Sequence, residues 1–244
     1  MASKKSSSFL TKIFRFLKRL FILLFILQLI YIVALKWINP PITITQLASL
    51  VSGDGLKRDY IDADEMNAAA KLAVMAAEDQ LFPDHGGFDW KSIEKALEYN
   101  KRKPNRVRGA STISQQTAKN VFLWQGRSWV RKGLELYFTQ MIEWIWGKKR
   151  ILEVYLNVIE MGRGVYGIEA AAQNYFKKPA SSLSRAEAAQ IAACLPNPKK
   201  YTVKPLSKYV AARSGWVQRQ MNNLDGDADI QRLIYPTQKS FNKK

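Results

Sequence analysis

Residues Asn67–Gly87 read NAAAKLAVMAAEDQLFPDHGG. The first part, up to Ala77, is almost wholly small or apolar, the composition of a helix buried in a core. The remainder, Glu78–Gly87, carries three carboxylates and the chain's single histidine around a Phe-Pro pair. Yet Lys and Arg outnumber Asp and Glu by 38 to 20, a formal charge of +18. An acidic cluster closing the most apolar soluble helix of so basic a chain is either structurally satisfied or chemically employed. Burial at an apolar helix end raises a carboxyl pKa toward the range useful for proton transfer. Glu78 is therefore a candidate general base, with Asp79 and Asp84 pushing its pKa the same way. His85 either opposes that shift or holds the loop in shape. As a metal ligand it lacks the second histidine or the several cysteines of a zinc site.

The 244 residues suffice for one domain of ordinary size with an appendage. Apolar residues make up 47% of the chain, enough for a core and against disorder. The one cysteine, Cys194 in AAQIAACLP, excludes an intramolecular disulfide and Cys-x-x-Cys clusters, and reads as a small buried hydrophobe. At the N-terminus, Lys4, Lys5, Lys12, Arg15, Lys18 and Arg19 precede the uncharged run LFILLFILQLIYIVAL, Leu20–Leu35. Phe16–Leu17 and Trp37–Ile38 lengthen that run, and Arg19 and Lys36 can snorkel. No Ala-x-Ala site follows it, so the expectation is a retained single-span anchor rather than a cleaved signal. The positive-inside rule then keeps the N-terminus cytoplasmic and exports everything after residue 40. Seven basic residues and no acids precede Asp54, which leaves about +11 on the exported part. Such a charge beside a membrane favours anionic headgroups or a phosphate-bearing substrate.

Beyond Asn39-Pro40-Pro41, ITITQLASL has partial strand-like alternation, and from Asp64 the pattern turns helical for most of the chain. Asp89 is placed to cap WKSIEKALEYN, Ser111 or Thr112 to cap the helix carrying QQTAKNVF, and Ser184 with Glu187 forms a capping box. Leu134–Trp146 is apolar almost all round, which means a central core helix or one touching lipid. The expected fold class is mainly α, a single helical domain behind a transmembrane helix.

Two further stretches can carry chemistry. In GRSWVRKGLE, Gly126–Glu135, the residues Arg127, Arg131 and Glu135 fall four apart, on one face of a helix, with Lys132 alongside. Two guanidiniums on one face can grip a diphosphate, although simple i,i+4 ion pairing accounts for the spacing equally well. In RGASTISQQTAKN, Gly109-Ala110 permits close backbone approach, and Ser111, Thr112, Ser114, Gln115 and Gln116 offer neutral hydrogen bonds suited to sugars or phosphate oxygens. Lys119 adds charge if its helix faces the same cleft. A plain N-cap with a polar helix face explains the same run.

Together these stretches resemble the peptidoglycan glycosyltransferases, glycosyltransferase family 51. EDQLFPDHGG resembles the family's E-D-x-x-F-x-x-H-x-G signature, GASTISQQTAKN its second motif and RKGLE its third. KKRILEVYLN, Lys148–Asn157, is similar to the fourth and GVYGIEAAAQNYF, Gly164–Phe176, to the fifth, all in the family's order. The chain ends about seventy residues later, so the likeness is to monofunctional members, without a transpeptidase domain. Ser92–Lys95 spells Ser-x-x-Lys, but with no Lys-Thr-Gly partner it is a coincidence.

The resemblance implies a lysozyme-like lobe, a second lobe dipping into the membrane surface, and this division of the chain: basic tail 1–19, anchor 20–38, juxtamembrane connector 39–63, glycosyltransferase domain 64–230, polar basic tail 231–244. It implies polymerisation of lipid II onto a growing glycan strand at the outer face of the inner membrane, with inversion and loss of polyprenyl diphosphate. Glu78 would be the base and Glu135 the second essential glutamate. Lys119, Arg127, Arg131 and Lys132 would hold the diphosphate, and Ser111, Thr112, Gln115 and Gln116 would shape the cleft floor. Asp79, Phe82 and His85 complete the substrate-binding set through the first motif. The apolar, tryptophan-rich Phe122–Trp129 would contact lipid. No metal-ligand spacing demands a cofactor, though Mg²⁺ or Mn²⁺ could assist at the diphosphate, and recruitment by other cell-wall synthesis or division proteins stays open. The competing readings are a peptidoglycan-cleaving lysozyme-like enzyme and a non-catalytic, membrane-tethered glycan- or lipid-binding protein. Nucleic-acid binding would need a cytosolic chain.

Overall fold

The computed structural model describes residues 4–105, 108–126 and 128–235, in two compact units that meet in sequence between Asn39 and Pro40. In the first unit, helix α1 runs from Lys4 to Ala34. Its Phe9–Ala34 portion, 26 residues, is long and apolar enough to cross a membrane. At 1.5 Å per residue it covers about 39 Å, more than the roughly 30 Å of a hydrocarbon core. The helix begins well before the uncharged run at Leu20, so Lys12, Arg15, Lys18 and Arg19 stand on its exposed surface.

The second unit opens with a correction. ITITQLASL does not form a strand: Ile44–Val51 is helix α2. Thr43 and Gln46 close a capping box, each side chain accepting the other's backbone N–H at 3.2 and 3.1 Å. That reciprocal pair satisfies two orphan donors at once and outweighs a short β-branched alternation. Strand β1 (Lys57–Arg58) follows. The stretch expected as a connector thus holds a helix and a strand.

Helix α3 (Ala68–Glu78) starts at an Asn67 cap, whose side chain accepts from the Ala69 N–H at 2.7 Å. Every residue from Ala69 to Ala76 is buried. Helices α4 (Trp90–Arg102), α5 (Ile113–Phe122), α6 (Trp129–Ile145) and α7 (Lys148–Val158) come next. Strands β2 (Glu160–Gly162) and β3 (Val165–Tyr166) complete a small sheet of order β1-β3-β2, with β1 parallel and β2 antiparallel to the central strand. Helices α8 (Ile168–Phe176), α9 (Arg185–Cys194), α10 (Lys208–Leu224) and α11 (Ala228–Ile234) finish the described chain. The unit is one mainly α-helical domain.

Its core has two halves. Small side chains on α3 and α9, including Ala73, Ala76, Ala189 and Ala193, are fully buried and let the two helices approach closely, with α10 and α11 covering them. In the other half α5 lies against α6 and α7. Cys194 is free and buried in the first half, and burial pushes its thiol up to about 12. Caps form as read from sequence at Asp89, Thr112 and Ser184. Helix α6 is not a central core helix. It buries Glu135, Thr139 and Ile142 while Trp129, Val130 and Trp144 stay exposed.

One buried side chain staples the entry segment to the core. Asn157, on α7, accepts from the Ile61 N–H at 3.1 Å and donates to the Ile61 carbonyl at 3.0 Å. Asn157→Ala strips both backbone groups of their partner, at a cost of about 2 kcal/mol. The expected outcome in a melting experiment is a midpoint lowered by about 4–8 °C; an unchanged midpoint would remove Asn157 from this role.

Candidate active site

Helix α3 stops at Asp79, and the reason is the Asp79 carboxylate. It is buried, and its Oδ2 accepts the Ile113 N–H at the start of α5 at 2.9 Å. His85 Nε2 lies 2.9 and 3.2 Å from its two oxygens. The Gly87 N–H donates to His85 Nδ1 at 3.2 Å, so Nδ1 is the acceptor and Nε2 carries the proton toward Asp79. Thr112 Oγ1 donates to the Gly87 carbonyl at 2.7 Å and returns the loop onto the α5 N-terminus. Gly87 cannot be replaced here: its φ is +94°, and a Cβ would sit 2.8 Å from Thr139 Cγ2 on α6. His85 thus ties the loop between Asp79 and Gly87.

This clamp leaves Glu78 at the rim of a cleft of about 720 Å³. Gln116 Nε2 donates to Glu78 Oε2 at 2.8 Å, and the buried Tyr155 hydroxyl donates to Gln116 Oε1 at 3.3 Å. Loss of solvent pushes the Glu78 pKa up, and the Asp79 charge adds to the rise. The Gln116 hydrogen bond and the charges of Arg213 and Lys119 oppose it. The outcome is a carboxyl above its ordinary range with one oxygen held in place. Its cleft continues past Ser111 to Ser92 and Lys95 of α4.

The second acidic site is on α6. Glu135 is buried, with Arg131 Nη1 at 2.7 Å from one oxygen and Lys132 Nζ at 2.5 Å from the other. Arg131 Nε is buried without a hydrogen-bond partner, so this guanidinium keeps an unused donor. Lys119, on α5, has its pKa lowered by burial and by the charges of Arg131 and Lys132, while Glu135 and Glu78 act the other way. Lys119 thus feels both glutamates, the electrostatic link between the two sites. Arg131 and Lys132 paired to one carboxylate, with Lys119 within electrostatic reach, form a cradle with net positive charge.

The structure sorts the residues expected from sequence. Glu78, Gln116 and Ser111 face the cleft, with Asp79 and Thr112 at its wall. Lys119, Arg131, Lys132 and Glu135 form the cradle. Thr112 and Gln115 are spent on the α5 capping box, and both are buried. Phe82 is fully buried beneath Lys148 Nζ, 4.5 Å from its ring centroid, and so serves the core. Arg127 lies outside the described residues. Sequence reasoning missed Arg213 of α10, which donates to the Ala77 carbonyl at 3.4 Å and stacks on Trp216 at 3.8 Å. It also missed Glu143, which accepts from Ser114 and from Lys148 at 2.7 Å and locks α5 to α6 and α7. The charge pattern of the fourth motif was the signal for Lys148; Arg213 had none.

A raised carboxyl pKa has a consequence for stability. Between the unfolded value near 4.5 and the higher folded value, the folded chain binds the extra proton, so stability falls as pH rises through that window. Glu78→Gln keeps the Gln116 hydrogen bond and removes the buried charge. It is expected to melt above the parent at neutral pH, the gap closing toward pH 4.5. A parent more stable than the variant at neutral pH would contradict the buried-charge reading.

The family described as Transglycosylase matches residues 44–222. Proteins described as biosynthetic peptidoglycan transglycosylase from Escherichia coli, among them those of strain K12 / DH10B and of O9:H4 strain HS, are 60% identical over 174 residues, 71% of this chain and 72% of theirs. The family match spans the α3 helix end, the cleft and the cation cradle alike. The chain belongs to the transglycosylase family.

Proposed function

We propose that this enzyme polymerises lipid II into β-1,4-linked glycan, with Glu78 as the general base. The observation that carries the reading is a carboxyl of raised pKa at the rim of a cleft, electrostatically linked through Lys119 to a cation cradle. A base whose pKa lies nearer the working pH is the more effective proton acceptor.

In the step proposed, Glu78 takes the proton of the acceptor sugar's 4-hydroxyl. The freed oxygen attacks C1 of the donor, the C1–O bond to diphosphate breaks, and the configuration at C1 inverts. Negative charge develops on the departing diphosphate, where Lys119, Arg131 and Lys132 supply preorganised positive charge. Glu135 is a positioning residue, because it holds two of those cations by their ion pairs. A peptidoglycan-cleaving enzyme would need a carboxylic acid but no cradle for a leaving diphosphate. A non-catalytic lipid binder would need the charge but no desolvated Glu78 at a cleft rim. On this reading α1 anchors the chain, its basic end stays cytoplasmic, and the catalytic unit works on the outer face of the inner membrane.

The test is polymerisation of labelled lipid II by the full chain in detergent, with the products sized on a gel. The parent is expected to build glycan ladders. Glu78→Gln is expected to lose about 10²–10⁴-fold in rate while still folding. Ladders of equal strength from both would remove Glu78 from the chemistry. Shortening of preformed glycan, without synthesis, would transfer the enzyme to the hydrolase class.

A further inference from the structure

One face of α4 borders the cleft and has no part in the step proposed above. Ser92, Lys95, Ala96 and Tyr99 recur at spacings of three and four, so they share one side of the helix. Ser92, Lys95 and Ala96 line the cleft of Glu78, and Arg108 lines it from the segment before α5. The Ser-x-x-Lys spelling thus has a place, though not as a nucleophile with its base. The Ser92 hydroxyl bonds to the Asp89 carboxylate instead of to Lys95.

Arg108 is held ready for a ligand. Asn100 accepts the Arg108 N–H at 2.7 Å and donates to the Arg108 carbonyl at 2.9 Å, which pins the backbone on both sides. The guanidinium carbon lies 3.8 Å from the centroid of the Tyr99 ring. Stacking of this kind covers the face of the guanidinium and leaves its in-plane N–H fork open. The nearby acids are engaged elsewhere: Glu98 faces Arg102 at 3.9 Å, and Asp89 accepts the Ser92 N–H at 2.9 Å as the helix cap. Among the described residues, neither Lys95 nor Arg108 makes an ion pair. Two unpaired cations thus border the cleft that holds the candidate base.

We propose that Lys95 and Arg108 bind a carboxylate of the substrate's stem peptide, in the part of the site that the cation cradle does not line. The proposal rests on the reading of the chain as a lipid II polymerase. Lipid II presents two kinds of anion, its diphosphate and the free carboxylates of the peptide on its sugar. The diphosphate has the cradle, and none of Lys119, Arg131, Lys132 and Glu135 lines this cleft. Glu78, Asp79 and Asp89 do line it, and three carboxylates repel a dianion about twice as strongly as a monoanion. A single carboxylate also matches the planar guanidinium fork in a bidentate pair. The peptide carries the same charge in the ground state and the transition state. Its contact is therefore one of specificity, whose loss falls mainly on KM.

The test is polymerisation of labelled lipid II by the full chain in detergent, with the stem carboxylates either free or converted to amides. The parent is compared with the double variant Lys95→Gln, Arg108→Gln. Both side chains are exposed, so the melting midpoint is expected to stay where it is. On the free-carboxylate substrate the variant is expected to show a KM raised about fivefold, with a smaller change in kcat. The parent is expected to lose the same factor when the stem is amidated, and the two proteins then to become equal. A parent indifferent to amidation would overturn the proposal without reference to any variant. An equal loss by the variant on both substrates would give the two cations to the diphosphate or the sugars, and overturn it too. No polymer from the parent on either substrate would sink the polymerase reading, and this proposal with it.

Discussion

The Asp79 carboxylate is the constraint on which the site depends. It ends α3 and accepts hydrogen bonds from the first free N–H of α5 and from His85 Nε2, all from a buried position. A buried carboxylate is tolerable only when its oxygens are satisfied in this way. The same interactions bring the C-terminus of one helix to the N-terminus of another, where the α5 dipole favours negative charge. Gln116, one turn into α5, then meets Glu78. The acidic cluster in a basic chain is thus a division of labour: Asp79 builds the corner, and Glu78 is left at it with little water and one hydrogen bond.

The two glutamates are kept apart in character by their surroundings. Glu78 is desolvated and only weakly compensated, which favours its protonated form. Glu135 is fixed between an arginine and a lysine. Lys119 couples to both, so charge arriving at the cradle is felt at the base. A proton taken up at Glu78 weakens its pull on Lys119 just when a leaving diphosphate would need that cation. The pairing suits a reaction in which a proton is accepted and a dianionic group departs in one step.

What could be read from sequence was local. Asp89, Thr112 and Ser184 each bond a backbone N–H three residues on, so spacing alone exposed them. The strand-like reading of ITITQLASL failed because Thr43 and Gln46 spell a capping box inside the alternation. Leu134–Trp146 left two readings because an apolar helix looks the same against a core or against lipid. The contacts that make the site are long-range: Gln116 is 38 residues from Glu78, and Arg213 lies in a helix beyond every motif. Phe82 carries motif chemistry by type, yet the fold buries it beneath Lys148, which no spacing reveals.

The central claim is that a desolvated Glu78 accepts the proton in glycosyl transfer. The most direct measurement is the pH dependence of kcat/KM for lipid II polymerisation by the parent chain. A base with a raised pKa makes activity fall on the acid side with a midpoint clearly above 4.5, the ordinary glutamate value. Activity that holds undiminished down to pH 4.5 would contradict the account.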